Sequence, residues 1–109
     1  MLKETYFNRY KGWGIKPTKN DVIEVVMRSK GHVLSPSIEL LNDYKNGFIE
    51  WNIYVRRFKD EMNNEVCKKE MKRIKELSIM KDVYLVCSCF NKKNYCHRYL
   101  LINMINEMR

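Results

Sequence analysis

The stretch that decides the fold lies near the carboxyl end of the chain, where residues 83 to 87 read Val83-Tyr84-Leu85-Val86-Cys87. Its apolar character is continuous, which predicts a strand that is buried on both faces. Cys96-His97-Arg98 follows after a short polar segment and opens a predicted helix that runs to Met108. The buried face of this helix is expected to hold five apolar residues: Leu100, Leu101, Met104, Ile105 and Met108.

Three helices are predicted on the amino-terminal side of this strand. The first has Ser35 as its expected N-cap and Pro36 as its first residue, and it ends at the Asn46-Gly47 turn. The second carries apolar side chains at steps of three and four residues, which is one helix face: Trp51, Tyr54, Val55, Phe58 and Met62. Asn63-Asn64 separates it from a third helix whose apolar residues are Cys67, Met71, Ile74 and Leu77.

Two further strands are predicted before the helices. Leu2 to Phe7 is short and strand-like, and Asp21 to Met27 is rich in β-branched residues, which is typical of a central strand covered on both faces. A right-handed crossover through the helices would make the second and third strands parallel. The sequence therefore predicts one small α/β domain over residues 1–109, with helices packed on a largely parallel sheet.

Charge is the clearest functional signal in the composition. The chain of 109 residues holds 21 Lys and Arg against 13 Asp and Glu, a net charge of +8. This surplus favours an anionic partner, first nucleic acid and then a nucleotide, although Lys-rich helices that only maintain solubility are the alternative. No apolar run approaches the roughly 20 residues of a membrane span, and the first residues lack a signal-peptide pattern. We therefore expect a cytoplasmic protein with reduced thiols and no membrane partner.

The turn before Cys96 is the predicted functional site. A helix that starts directly after a strand directs backbone N–H groups and its dipole toward an anion, and Arg98 would add a guanidinium. The same surroundings favour a reactive thiolate, so Cys96, His97 and Arg98 are also candidate catalytic residues. Because the carboxyl ends of parallel strands share one edge, side chains that follow the other strands are expected nearby. The candidate ligand-binding residues are Tyr6, Arg9, Tyr10, Arg28, Cys89, Cys96 and Arg98.

A metal site is the alternative use of the same residues. Cys87, Cys89, Cys96 and His97 would supply the three thiolates and one imidazole that zinc accepts, although one residue between the first two cysteines is an uncommon spacing for zinc. The main expectation is therefore a site without a metal or another cofactor.

Three segments together resemble the domain of unknown function 488 family. They are Leu34-Ser35-Pro36-Ser37 with the following helix and its Tyr44-Lys45-Asn46-Gly47 turn, Ile49 to Phe58 with its aromatic residues, and Val83 to Cys87 with Cys96-His97-Arg98. Cys89 stands where many relatives carry an acidic residue. The resemblance implies the fold and the position of the site rather than a reaction.

Three function hypotheses remain open from the sequence. The first is a module that binds nucleic acid or a nucleotide at the Cys96 turn. The second is an enzyme that acts on such a substrate through Cys96, His97 and Arg98. The third is a viral or mobile-element accessory protein that occupies a host protein, with which the Lys-, Asn- and Ile-rich composition is compatible.

Overall fold

A four-stranded sheet and four helices make up the part of the chain that the computed structural model describes, which is residues 1–8, 12–26, 31–87 and 96–108. In chain order the elements are β1 (Leu2–Asn8), β2 (Gly12–Trp13), β3 (Val22–Val25), α1 (Ile38–Lys45), α2 (Trp51–Met62), α3 (Glu65–Met80), β4 (Val83–Cys87) and α4 (His97–Glu107). The predicted α/β class is confirmed.

The strand order of the sheet is β2-β1-β4-β3, so β4 has a hydrogen-bonded neighbour on each side. Both β1 and β3 run parallel to β4, and β2 is antiparallel to β1. All five residues of β4 are buried, as the unbroken apolar run predicted. The parallel arrangement expected for Val83–Cys87 and the strand predicted at Asp21 to Met27 is also confirmed, since β3 pairs with β4 in parallel.

The position predicted for β3 was wrong. Within the described strands β3 pairs with β4 alone and lies at the end of the strand order, so it is not central. Ile23 is 44% exposed, which a strand covered on both faces would not allow. A short apolar run fits either position, because local composition does not specify which of two neighbouring strands receives partners on both sides.

The start of α1 was also predicted two residues too early. The N-cap is Ser37, whose Oγ accepts a hydrogen bond from the backbone N–H of Leu40 at 3.1 Å. The carboxylate of Glu61 accepts from the Ser37 backbone N–H at 2.8 Å, so α2 supports this cap. Ser35 instead donates its hydroxyl to the carbonyl of His32 at 2.6 Å. The predicted end of the helix is confirmed, since Gly47 has a φ of 75°, the left-handed conformation that glycine adopts most easily.

The helices bury one apolar cluster against the sheet. Phe58 of α2, Ile74 of α3, Leu85 of β4 and Leu101 of α4 are each 0% exposed and belong to this core. Helix α4 packs on β1 and β4, which holds its first residues at the end of the sheet. In the described ranges no helix has the length and apolar character needed to cross a membrane.

Candidate functional site

The candidate site lies where the parallel strands end. Because β1, β3 and β4 share one direction, their carboxyl ends meet at one edge of the sheet. Tyr6 of β1 is the register partner of Cys87 at the end of β4, and Val26, directly after β3, donates its N–H to the carbonyl of Val86 at 2.9 Å. Helix α4 starts from Cys96 and contacts both β1 and β4, so its amino end belongs to the same edge.

Cys96 is the N-cap of α4 and has two nitrogen atoms near its sulfur. Its Sγ lies 3.7 Å from Nδ1 of His97, and Nη1 of Arg98 donates to it at 3.6 Å. The residue is 4% exposed and its backbone is extended, as an N-cap requires. The sulfur is therefore buried and has an imidazole nitrogen and a guanidinium N–H as neighbours.

His97 is oriented by a long-range contact with the backbone. Its Nε2 lies 2.6 Å from the carbonyl oxygen of Val26. Since a carbonyl only accepts, Nε2 carries the hydrogen and donates it. Burial lowers the pKa of His97, which favours the neutral ring. In the neutral ring with Nε2 protonated, Nδ1 is an acceptor, and its lone pair is available toward Cys96.

Aromatic packing extends from His97 into the core. The Phe58 ring lies 5.9 Å from the His97 ring at 55°, and it is stacked on Tyr54 at 6.2 Å. Tyr54 in turn stacks on Trp51 at 4.9 Å. Trp51 and Tyr54 were expected to pack in the core, which is consistent with this arrangement. The aromatic row formed by Trp51, Tyr54 and Phe58 ends at the His97 ring and packs against it.

Arg98 is almost completely buried. Its side chain is 1% exposed, and its Nε donates to Oε2 of Glu4 at 2.7 Å. A further N–H donates to the hydroxyl of Tyr99 at 3.2 Å. The Glu4 carboxylate balances the guanidinium charge. We therefore assign Arg98 a structural role, in which its ion pair with Glu4 connects the start of α4 to β1.

Cys87, Cys96 and His97 form the thiol–imidazole cluster, the name used for these three residues below. The two sulfur atoms and one ring nitrogen of His97 all lie within 4.8 Å of one another, and all three residues are buried. Two of the cysteines expected as alternative metal ligands are thus brought together with the histidine.

Cys67 is surrounded differently although it is buried to the same degree. It is 5% exposed, and its Sγ donates to the carbonyl of Val33 at 3.4 Å. The Asn64 side chain contacts the same sulfur at 3.3 Å. Its described contacts include neither a guanidinium nor an imidazole, so Cys67 is a natural internal reference for Cys96.

A second group of titratable side chains lies on β3, on α3 and in the segment before α1. Glu24, His32 and Glu70 have ligand atoms within 4.8 Å of one another. Arg73 donates to both carboxylates, at 2.8 Å to Glu24 and more closely to Glu70, and it holds the pKa of Glu70 below its usual range. The Arg73 guanidinium therefore offsets part of the negative charge of the two carboxylates.

The remaining predicted site residues are placed as follows. Tyr6 is at the expected edge, beside Cys87. Arg9, Tyr10, Arg28 and Cys89 lie outside the described residues. Sequence reasoning missed Glu4 and the Val26 carbonyl as parts of the site. A lone acidic residue within the first strand was the only available signal for Glu4, and nothing local indicated the carbonyl. Phe58 was predicted on the apolar face of α2, but its contact with His97 was not.

A comparison with known protein families identifies the family of this chain. Residues 5–109 match the family described as DUF488-N3a, the active DUF488-N3 subclade. The match confirms the resemblance drawn from the Cys-His-Arg motif and the helix that ends in Tyr44-Lys45-Asn46-Gly47. No curated protein and no solved structure matches the chain.

Proposed function

Because the chain belongs to the DUF488 family and six of its 21 basic residues follow the strand ends, we propose that it binds the phosphate groups of nucleic acid or of a nucleotide at the carboxyl edge of the sheet. One observation supports the proposal above all others. Residues 9–11, 27–30 and 88–95 follow the carboxyl ends of β1, β3 and β4, and they contain six basic residues and no Asp or Glu. The six are Arg9, Lys11, Arg28, Lys30, Lys92 and Lys93.

The opposite edge of the sheet has a different charge pattern. Asp21 and Asp82 come directly before β3 and β4. Asp82 is paired with Lys3 at 3.1 Å and with the terminal amine of Met1 at 3.4 Å, so the positive charges of these two groups are balanced within the chain. The contrast supports the carboxyl edge as the side that attracts an anion. Since Glu4 balances Arg98, we assign the phosphate contacts first to Arg9 and Arg28.

Binding of nucleic acid is expected to weaken steeply as salt rises. If all six basic residues neutralise phosphates of duplex DNA, affinity falls by about 10³-fold between about 50 and 200 mM salt, because each contact releases counterions. Arg28→Ala and Arg9→Ala each reduce the salt slope by about one. Fluorescence anisotropy with single- and double-stranded oligonucleotides measures both effects, and competition by a nucleoside triphosphate identifies a nucleotide ligand.

The matched control is Lys69→Ala, which removes one positive charge from the exposed surface of α3. It is expected to leave the salt slope nearly unchanged. Three results would contradict the proposal. They are an affinity that does not change with salt concentration, no binding of oligonucleotides or nucleotides at low salt, and a salt slope that Lys69→Ala reduces as much as Arg28→Ala does. The positive charge would then serve solubility alone.

A second candidate function, an enzyme that acts on such a ligand through Cys96, is favoured by the contacts of its sulfur. The Sγ lies between a guanidinium N–H and an imidazole nitrogen, a pairing that supports a nucleophilic thiolate. Cys67, which is equally buried, lacks both groups among its described contacts.

Alkylation distinguishes the two candidates. If Cys96 is a nucleophile, iodoacetamide is expected to modify it at least about tenfold faster than Cys67 in the metal-free native protein, because the thiolate is the reacting form. Peptide mass spectrometry after timed quenching gives both rates in one sample. Equal rates at the two cysteines, together with unchanged oligonucleotide binding by Cys96→Ser, would leave the binding module as the function.

A further inference from the structure

We propose that the thiol–imidazole cluster binds one zinc ion or a similar thiophilic divalent cation, with Cys87, Cys96 and His97 as ligands. The inference goes beyond the proposed function, since phosphate binding by the basic residues needs neither Cys87 nor a metal. It rests on the spacing of the three ligand atoms, on the orientation of the imidazole and on the charge around the sulfurs.

The spacing agrees with tetrahedral coordination. Zinc–sulfur bonds of about 2.3 Å and zinc–nitrogen bonds of about 2.05 Å place sulfur and nitrogen about 3.6 Å apart and two sulfurs about 3.8 Å apart. The observed separation of Cys96 Sγ and His97 Nδ1 is 3.7 Å. All three ligand atoms of the cluster lie within 4.8 Å of one another, so small side-chain adjustments complete the arrangement.

The imidazole is already held in the orientation that a ligand needs. Its Nε2–H donates to the Val26 carbonyl at 2.6 Å, which leaves Nδ1 as the acceptor on the side of Cys96. Histidines that bind metals commonly donate their other ring N–H to a backbone carbonyl or carboxylate, and this contact fixes the tautomer. The contact with Phe58 restricts rotation of the ring further.

Charge in the cluster balances when the metal is present. Two thiolates and a neutral imidazole neutralise one divalent cation, and each thiol gives up its proton to the buffer on binding. The N–H of Arg98 that donates to Cys96 Sγ supports the ligating thiolate from outside. The three ligands in the described part of the chain leave a fourth position, which zinc sites fill with another protein ligand, with water or with an oxygen of a bound substrate.

The test uses Zn²⁺ and Co²⁺ with the reduced, metal-stripped full chain. Native mass spectrometry is expected to show one zinc per chain with the loss of two protons, and Co²⁺ is expected to give a sulfur-to-cobalt charge-transfer band. Cys87→Ser and Cys96→Ser each lower the zinc affinity by at least about 100-fold, beyond the range for residues that only support a ligand. Cys67→Ser is the matched control and changes the affinity by less than about twofold, since its sulfur is not a ligand.

A second measurement covers the case in which a cysteine variant fails to fold. In the wild-type protein, zinc is expected to protect Cys87 and Cys96 from alkylation while Cys67 is modified at its original rate. The absence of stoichiometric zinc, or equal protection of all three cysteines, overturns the proposal. Oligonucleotide binding is measured in the presence of a chelator, so a failed metal site and a failed phosphate site give separate results.

Discussion

Glu4→Ala is expected to lower the free energy of unfolding by about 3 kcal/mol, because it leaves the buried Arg98 guanidinium without its carboxylate. Arg98 is 1% exposed and donates to Glu4 at 2.7 Å, while the Glu4 side chain is 30% exposed, so the expected loss is at the lower end of the range for a buried ion pair. The contact joins residues 94 positions apart in the chain, and its loss also loosens α4 against β1. Urea denaturation followed by circular dichroism gives the difference.

Asp43→Ala is the control for this variant. Asp43 and Arg57 form an ion pair of nearly the same length, 2.8 Å, but their side chains are 38% and 37% exposed. Removal of an exposed partner costs about 0–1 kcal/mol, because water solvates the remaining charge. If the two variants are destabilised equally, the Glu4 carboxylate does not stabilise the buried Arg98 guanidinium, and the structural role assigned to this pair is wrong.

Phe58→Ala is expected to have the largest effect on stability, a loss of about 3–5 kcal/mol. The ring is 0% exposed and packs between Tyr54 and His97, so truncation removes apolar burial and leaves a cavity beside the candidate site. Such a loss is a large fraction of the total stability of a folded protein, which is about 5–15 kcal/mol. Thermal and urea unfolding measure the change.

Phe48→Ala removes the same side chain from a position that is 76% exposed. It is expected to change the free energy of unfolding by no more than about 0.5 kcal/mol. A comparable loss in the two variants would show that the row from Trp51 through Phe58 does not form the core beside His97. The pair therefore tests burial directly, with the chemistry of the change held constant.

Local features of the fold were predictable from the sequence. The continuous apolar run of Val83–Cys87 predicted a buried strand, and this was confirmed because a strand without polar residues has no side to present to water. The aromatic and apolar steps of α2 and the left-handed turn at Gly47 were also predicted correctly. Each of these features depends only on residues a few positions apart in the chain, so the local sequence is enough to predict it. The N-cap of α1 was misplaced because Glu61, which supports Ser37, lies 24 positions away.

For the candidate site, too, some features were predictable from the sequence and others depended on the tertiary structure. The sequence by itself identified the Cys96-His97-Arg98 turn and the strand ends that surround it, because the order of strands and helices predicts a parallel sheet whose ligand edge is known in advance. Only the tertiary structure decided that Arg98 is balanced by Glu4 and that His97 donates to Val26, 71 positions away. Such contacts depend on how α4 packs against β1 and the end of β3. The ion pair of Arg98 and the tautomer of His97 follow from this packing, and no local pattern of residues specifies them.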